Sequence, residues 1–308
     1  MNNRIASIAV GLMLLISAAA ATGNGNQVSV DIHQEAEGNC VTGEVFIAQV
    51  SDAVVFVDGN DNCVEQKVGL YINDNDLVGT EEQSTSITQC GFIVGNVTGN
   101  GNNLNQNLNM NAYNNRMTMS NMSQEAAQKV EILGNNNDVS QSTSADSHDN
   151  DLTLSQIRQF SLLKASVVGN ENIVDQSAEQ KTEYNSLTGS KIWQQAAGNA
   201  SAYGNGNSAY QQIIQDADED SLTGSTLRQV IETRSPIAGS GNSVNQYAKV
   251  YAKRNSLTAG AVEVQQILEV ADVLGIDNSV SYNIALRKTD NAMTGGVFVQ
   301  ESSVITEL

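Results

Sequence analysis

A glycine recurs at near-constant spacing along the chain, at Gly23, Gly59, Gly99, Gly134, Gly169, Gly204, Gly239 and Gly275. The steps are 36, 40, 35, 35, 35, 35 and 36 residues. Three residues after each glycine stands an asparagine: Asn26, Asn62, Asn102, Asn137, Asn172, Asn207, Asn242 and Asn278. Two further on is an apolar residue (Val28, Val64, Leu104, Val139, Val174, Ala209, Val244, Val280), and two beyond that a glutamine in Gln66, Gln106, Gln141, Gln176, Gln211 and Gln246. A period of this size marks a tandem array, in which each unit buries its apolar face only against its neighbours.

A second motif, Asn-x-Leu-Thr-Gly in its fullest form at Asn185–Gly189, begins sixteen residues after each glycine. Asn39, Asn75, Asn115, Asn150, Asn185, Asn255 and Asn291 hold that place, and Asp220 is the exception. The offset never varies, so the extra residues of the longer units all fall after the second motif. Insertions gather in one loop region while the rest keeps its register.

Both motifs alternate with period two, the pattern of a strand with one face inward. The inward parity changes between offset eighteen (Leu187 and its equivalents) and offset twenty-three, where Phe46, Met122, Ile157, Ile192, Leu227, Val262 and Phe298 form an apolar column. A bend must lie between them. Gly43, Gly79, Gly189, Gly224 and Gly295 supply the permissive backbone there. A glutamine column follows at offset twenty-five: Gln124, Gln159, Gln194, Gln229 and Gln300. Stacking equal offsets ~4.8 Å apart turns the amide columns into ladders, each side chain bonding the ones above and below. The expected fold is all-β, a β-solenoid or set of stacked β-arches of eight repeats with three or four short strands per turn. Gln124–Val130 and Gln265–Val273 also admit a helical reading, but glycine and asparagine interrupt any long 3.6-residue stripe. Lys253 and Arg254 fall at the offsets of Asp218 and Glu219 one unit earlier, so adjacent turns should pair opposite charges there.

Residues 1–21 read as a secretory signal, with Arg4 as the basic start, Ile5–Ile16 as the apolar stretch and Ala18–Ala21 as a small-residue cleavage zone. Residues 22–308 then form one array. Export to the cell surface permits disulfides. Cys40, Cys63 and Cys90 are odd in number, which points to a bond with another chain or a free thiol. Three Asn-x-Ser/Thr sequons, Asn96, Asn121 and Asn199, lie in the variable stretch after the second motif and are candidate glycosylation sites.

The net charge of −19, with 15 basic against 34 acidic residues, is the opposite of a phosphate-binding surface, so nucleic acid is not an expected partner. Once the leader is removed, nothing else reads as a membrane anchor. Repeats that hold Ca²⁺ in β-rolls need a carboxylate at each turn, whereas the matching position here is asparagine, and no cofactor is expected. The threonine column Thr42, Thr118, Thr153, Thr188, Thr223, Thr258 and Thr294 is single and reads as strand packing rather than an ice-binding plane. The densest acidic run, Asp216, Asp218, Glu219 and Asp220, has no basic or histidine partner beside it, so catalysis is not expected.

Amide ladders with glycine at the turns resemble the curli-type amyloid subunits of bacteria. The Gly134–Asn137–Val139–Gln141 core is similar to theirs, although the unit here is longer and carries two motifs. The overall design resembles the amyloid-like sheath subunits of filamentous methanogenic archaea. Either resemblance implies an extracellular structural subunit whose partners are copies of itself and other cell-envelope proteins. Array ends without a polar cap favour further stacking, and Cys40, Cys63 or Cys90 could lock neighbours. The rival readings are a monomeric β-solenoid adhesin or binding module and, behind it, a carbohydrate-active β-helix enzyme working through Asp216 and Asp220.

Overall fold

The computed structural model describes residues 9–42, 45–79, 85–295 and 297–307; Arg4 and the bend glycine Gly43 lie outside them. Strands are numbered in chain order. Each turn of the chain contributes three: an eleven-residue strand, a three-residue strand and a strand of thirteen or fourteen, as in β2 (Gln27–Glu37), β3 (Cys40–Thr42) and β4 (Val45–Asp58). The last turn closes with an eleven-residue strand, its trio being β23 (Ser279–Thr289), β24 (Ala292–Thr294) and β25 (Val297–Glu307). Every described pairing is parallel, and each strand pairs with its equivalent in the turns before and after. The result is a three-sided β-solenoid of eight rungs, with two broad sheets and one narrow one.

The burial pattern follows the period-two reading. From Asn103 to Tyr113 inward and outward residues alternate without a break. The two broad sheets face each other across a narrow interior packed by Val64, Leu104, Val139 and Val174 from one and Val55, Val97, Ile132 and Val167 from the other. At the narrow sheet, Leu77, Met117, Leu152, Leu187 and Leu222 close a corner against Ile87, Met122, Ile157, Ile192 and Leu227. The segments 124–130 and 265–273 are strand throughout, inside β10 (Ser120–Leu133) and β22 (Val262–Leu274).

The expected bend is present. At offset twenty Met119, Leu154, Gly189, Gly224, Ala259 and Gly295 have left-handed backbone. Two further corners, at offsets two and fifteen, use the same conformation at Asp61, Asn136, Glu171 and Asp277 and at Asp74, Asn114, Asp149, Tyr184, Glu219, Arg254 and Asp290. The repeat glycine is the tightest corner. A Cβ at Gly169 would stand 1.8 Å from the carbonyl oxygen of Gly134, and φ there is +140°. No side chain fits.

Three details of the expected register change. The first and seventh units carry their extra residue between the narrow-sheet strand and the long strand that follows. As a result Phe46 pairs in register with Ser86, and Ile47 with Ile87 takes the inward column. Likewise Val262 pairs with Thr226 on the outward side, and Glu263 enters the column of Leu227. Lys253 is in register with Asp218, but its ammonium reaches Asp216 at 2.6 Å, while Arg254 takes both Asp218 and Glu219.

The segment read as a leader is, from Ala9 onward, a strand, β1 (Ala9–Thr22), paired with β4. Among the described residues it has no companion in the other two sheets, where β2 and β3 are the terminal strands.

Candidate functional site: the stacked ladders and the end rungs

The asparagines after each glycine are buried in rungs two to seven and bonded in one repeating pattern. The backbone N–H and Nδ2 of Asn137 both donate to Oδ1 of Asn172 one rung on, at 2.9 and 3.0 Å, and Nδ2 also donates back to the carbonyl of Gly99. Asn102, Asn172 and Asn207 repeat all three bonds. Both amide protons and the oxygen are thus used, which removes the penalty of about 1–3 kcal/mol for a buried unpaired polar group. The amide oxygen also caps the turn of the preceding rung, so one residue closes a corner and fixes the rung spacing together.

The glutamine ladders run with the opposite polarity. Gln106 Nε2 donates to Oε1 of Gln66 one rung earlier, and Gln141 and Gln176 continue the line as far as Gln211, whose amide oxygen accepts from the backbone N–H groups of Asn199 and Ala200. A second line is longer than the sequence offsets indicate. It runs Gln300 to Gln265, Gln229, Gln194, Gln159, Gln124, Gln89 and Gln49, each donating to the one before. Gln49, Gln89 and Gln265 escape offset counting because insertions precede them. A serine column at offset twenty-one was also missed: Ser120, Ser155 and Ser190 each donate a backbone N–H to the hydroxyl of the next serine, ending at Ser225.

Asp220 is the one acid in the ladder of the second motif. Its Oδ1 accepts from the backbone and side chain of Asn185, and Oδ2 accepts the hydroxyl of Thr182 at 2.9 Å. It is fully buried, and burial pushes its carboxyl up to about 7 against the pull of those hydrogen bonds. Asp216 is paired with Lys253. The two carboxyls of the hydrolase reading therefore serve different tasks, one inside the fold and one in an ion pair. Among the described residues no group of three or more His, Cys, Asp and Glu is placed to hold a metal ion.

Glu263 and Glu269 are the least matched groups of the interior. Both are fully buried on β22, and none of their four carboxyl oxygens has a hydrogen-bond partner. Burial raises each to about 7; for Glu263 the ammonium of Lys288 opposes that shift.

The three cysteines are free thiols on three different sheets: Cys40 exposed on β3, Cys63 exposed at the start of β5 (Cys63–Asn73), and Cys90 half-buried on β7 (Thr85–Thr98). Burial, with Glu125 and Asp52 nearby, pushes the Cys90 thiol up to about 11, so it is a poor nucleophile at neutral pH. The sequons sit in strands rather than in a loop: Asn96 on β7, Asn121 on β10 and Asn199 on β16 (Lys191–Tyr203). Asn121 is exposed and the other two are half-buried.

The two broad sheets differ on their outer faces. The one containing β2 is polar, with Asn103, Asn105, Asn107 and Asn109 on a single strand. The one containing β4 carries Phe92, Phe160, Leu162 and Leu268, and an Arg158–Trp193–Arg228 stack with guanidinium-to-ring distances of 5.7 and 5.3 Å. No known protein family matches the chain, and neither a curated protein nor a solved structure is similar to it.

Proposed function

We propose that this protein is a structural subunit that stacks end to end into an extracellular fibre or sheath, continuing its own ladders from copy to copy. One observation carries the reading: the rungs are interchangeable at their edges. Each rung offers asparagine donors on one side and asparagine acceptors on the other, with glutamine ladders of the reverse sense beside them. At a seam the asparagine columns and the Gln49–Gln300 column find on another copy the partners they have within the chain, whereas the Gln66–Gln246 column sets Val30 against Tyr282 there. Parallel edge strands recruit further strands by the same backbone bonds that hold the sheet.

The apolar ends add a driving force. On the last rung the inward-facing Val280, Ile284, Leu286 and Val304 are partly or fully exposed, although Val244, Ala248, Val250 and Glu269 in the same columns one rung earlier are covered. A second rung laid over them buries that surface at roughly 25 cal/mol per Å².

The thiols have no part in this end-to-end contact. Cys40 shares its register column with Ala292, the residue it would meet at a seam, and Cys63 and Cys90 lie one rung further in. Any disulfide between copies would join stacks side by side.

The test is sedimentation with diffraction. Purified protein should pellet as a detergent-resistant assembly giving a ~4.8 Å reflection along the fibre. Reductant should break sideways association but not the stacks. A protein that stays a soluble monomer across concentration and pH would overturn the proposal.

A further inference from the structure

The first and last strands of the β4 sheet compete for one position. β1 pairs with β4 from Ala9↔Val45 to Thr22↔Asp58. β25 pairs with β22 from Val262↔Val297 onward, and Phe46 and Val262 occupy the same register column. If a second copy set its last rung against the first rung of this one, its β25 would land where β1 lies.

We propose that β1 is a placeholder, and that in the assembled stack β25 of a second copy replaces it on the edge of β4. The inference rests on the end-to-end reading above and specifies its seam. Four observations favour the exchange. First, among the described residues β1 has no β2-type or β3-type companion, and a cleft of about 500 Å³ lined by Leu15, Ile16, Ser29, Val30, Asp31 and His33 lies beside it. A full rung of β23, β24 and β25 would fill that space with strand.

Second, β1 carries Met13 at the register position of Gln49, which breaks the glutamine ladder. β25 carries Gln300 at that position, and the polarity is right: Gln49 Nε2 would donate to Gln300 Oε1, as Gln300 donates to Gln265. Gln49 Nε2 already donates to the backbone carbonyl of Tyr71, the bond that Gln89, Gln124 and Gln229 make beside their ladder bond.

Third, the asparagines agree in sense. Within the two buried asparagine ladders the backbone N–H donates to the amide oxygen of the later rung, so Asn278 and Asn291 on the last rung would donate to Asn26 and Asn39 on the first. Fourth, the outer charges match. Arg287 on β23 and Glu35 on β2 share a register column and are both exposed, so the seam sets a cation against an anion in a chain otherwise strongly acidic. β1 itself leaves Leu14, Leu15 and Ile16 exposed, an apolar edge that a seam would remove.

The test uses the full chain and its assembled material. Hydrogen exchange on pelleted full-length protein should show the amides of residues 9–22 unprotected, whereas in the monomer they are held by their pairing with β4. Arg287→Glu should raise the concentration needed for pelleting by about tenfold, since it places like charges together. Adding Glu35→Arg in the same chain should restore it to near the original value. Residues 35 and 287 lie at opposite ends of the array, so such a rescue cannot come from repaired folding. Pelleted copies in which residues 9–22 stay as protected as in the monomer, or an Arg287→Glu protein that pellets as readily as the original, would overturn the exchange while leaving end-to-end assembly standing. If the unaltered chain never pellets, both fall.

Discussion

The third to sixth rungs and the seventh differ in one residue of spacing and in little else, yet their interiors are chemically unlike. In the former the unit is 35 residues long, and the second-motif corner passes directly into the long strand. The column that follows is Met122, Ile157, Ile192, Leu227, all covered. In the seventh rung an added residue at Ala259–Gly260 moves Glu263 into that column, and Glu269 enters another. Amides tolerate this interior because a stack repeats donor and acceptor at a fixed spacing. A carboxylate cannot ladder in the same way, having no donor to pass on and a charge that repels its copy. Asp220 lies between the two cases: it keeps the ladder's acceptor role and is completed by the hydroxyl of Thr182, in a column that has Ser147 one rung earlier and Ala217 one rung later.

The comparison breaks most violently at the corner of the regular region. Gly169→Ala sets a Cβ 1.8 Å from a backbone oxygen at a φ of +140°, and should destabilise the array by about 3–5 kcal/mol, seen as a large fall in the thermal midpoint. Gly241→Ala, where nothing lies within 4 Å of the added atom, should be much milder, because Asp61 and Asn136 already occupy that corner column.

The irregular rung should respond in the opposite direction. Glu263→Leu and Glu269→Leu each remove a buried acid and should stabilise by about 3 kcal/mol at pH 8, the value of a carboxyl raised from 4.5 to about 7. The folded state binds these protons more tightly than the unfolded chain does. Their stability is therefore present below about 4.5 and is lost as pH rises towards about 7. The protein should melt at a lower temperature at pH 8 than at pH 5, and the double substitution should flatten that difference. An unchanged pH profile in the double variant would contradict the account of this rung.

Smaller effects sharpen the ladder side. Gln159 donates to Gln124 and the carbonyl of Ala145, and accepts from Gln194. Gln159→Leu orphans partners above and below and should destabilise by about 2 kcal/mol in denaturant titration. Thr182→Val leaves one oxygen of Asp220 without its hydroxyl donor, which should lower stability by about 1 kcal/mol. Combining it with Asp220→Asn should recover the loss, since asparagine restores the corner bonds seen at Asn185.

The legible part of this fold was whatever the stack repeats strictly. The asparagine columns announce themselves because nothing varies between glycine and the second motif. The bend at offset twenty was legible from parity alone. The rest was hidden for physical reasons. Insertions at Gly260 and after Val78 shift Gln89, Gln265 and Glu263 out of simple counting. The left-handed corners at offset fifteen hold Gly38, Asp74, Asn114, Asp149 and Asp290, which suit that backbone, but Tyr184 and Arg254 break the pattern because their side chains point away from the stack. The pairing of Lys253 with Asp216 rather than its register partner reflects the reach of a long side chain, which register does not determine.

The central claim is that the stack of rungs continues from one copy to the next. Cryo-electron microscopy of the pelleted assembly tests it most directly. Eight rungs per copy at ~4.8 Å predict an axial rise of about 38 Å per subunit, with strands perpendicular to the fibre axis and density for the glutamine ladder unbroken from Gln300 to Gln49 of the next copy. Copies joined only through their sides, or a gap in strand density at every eighth rung, would contradict it.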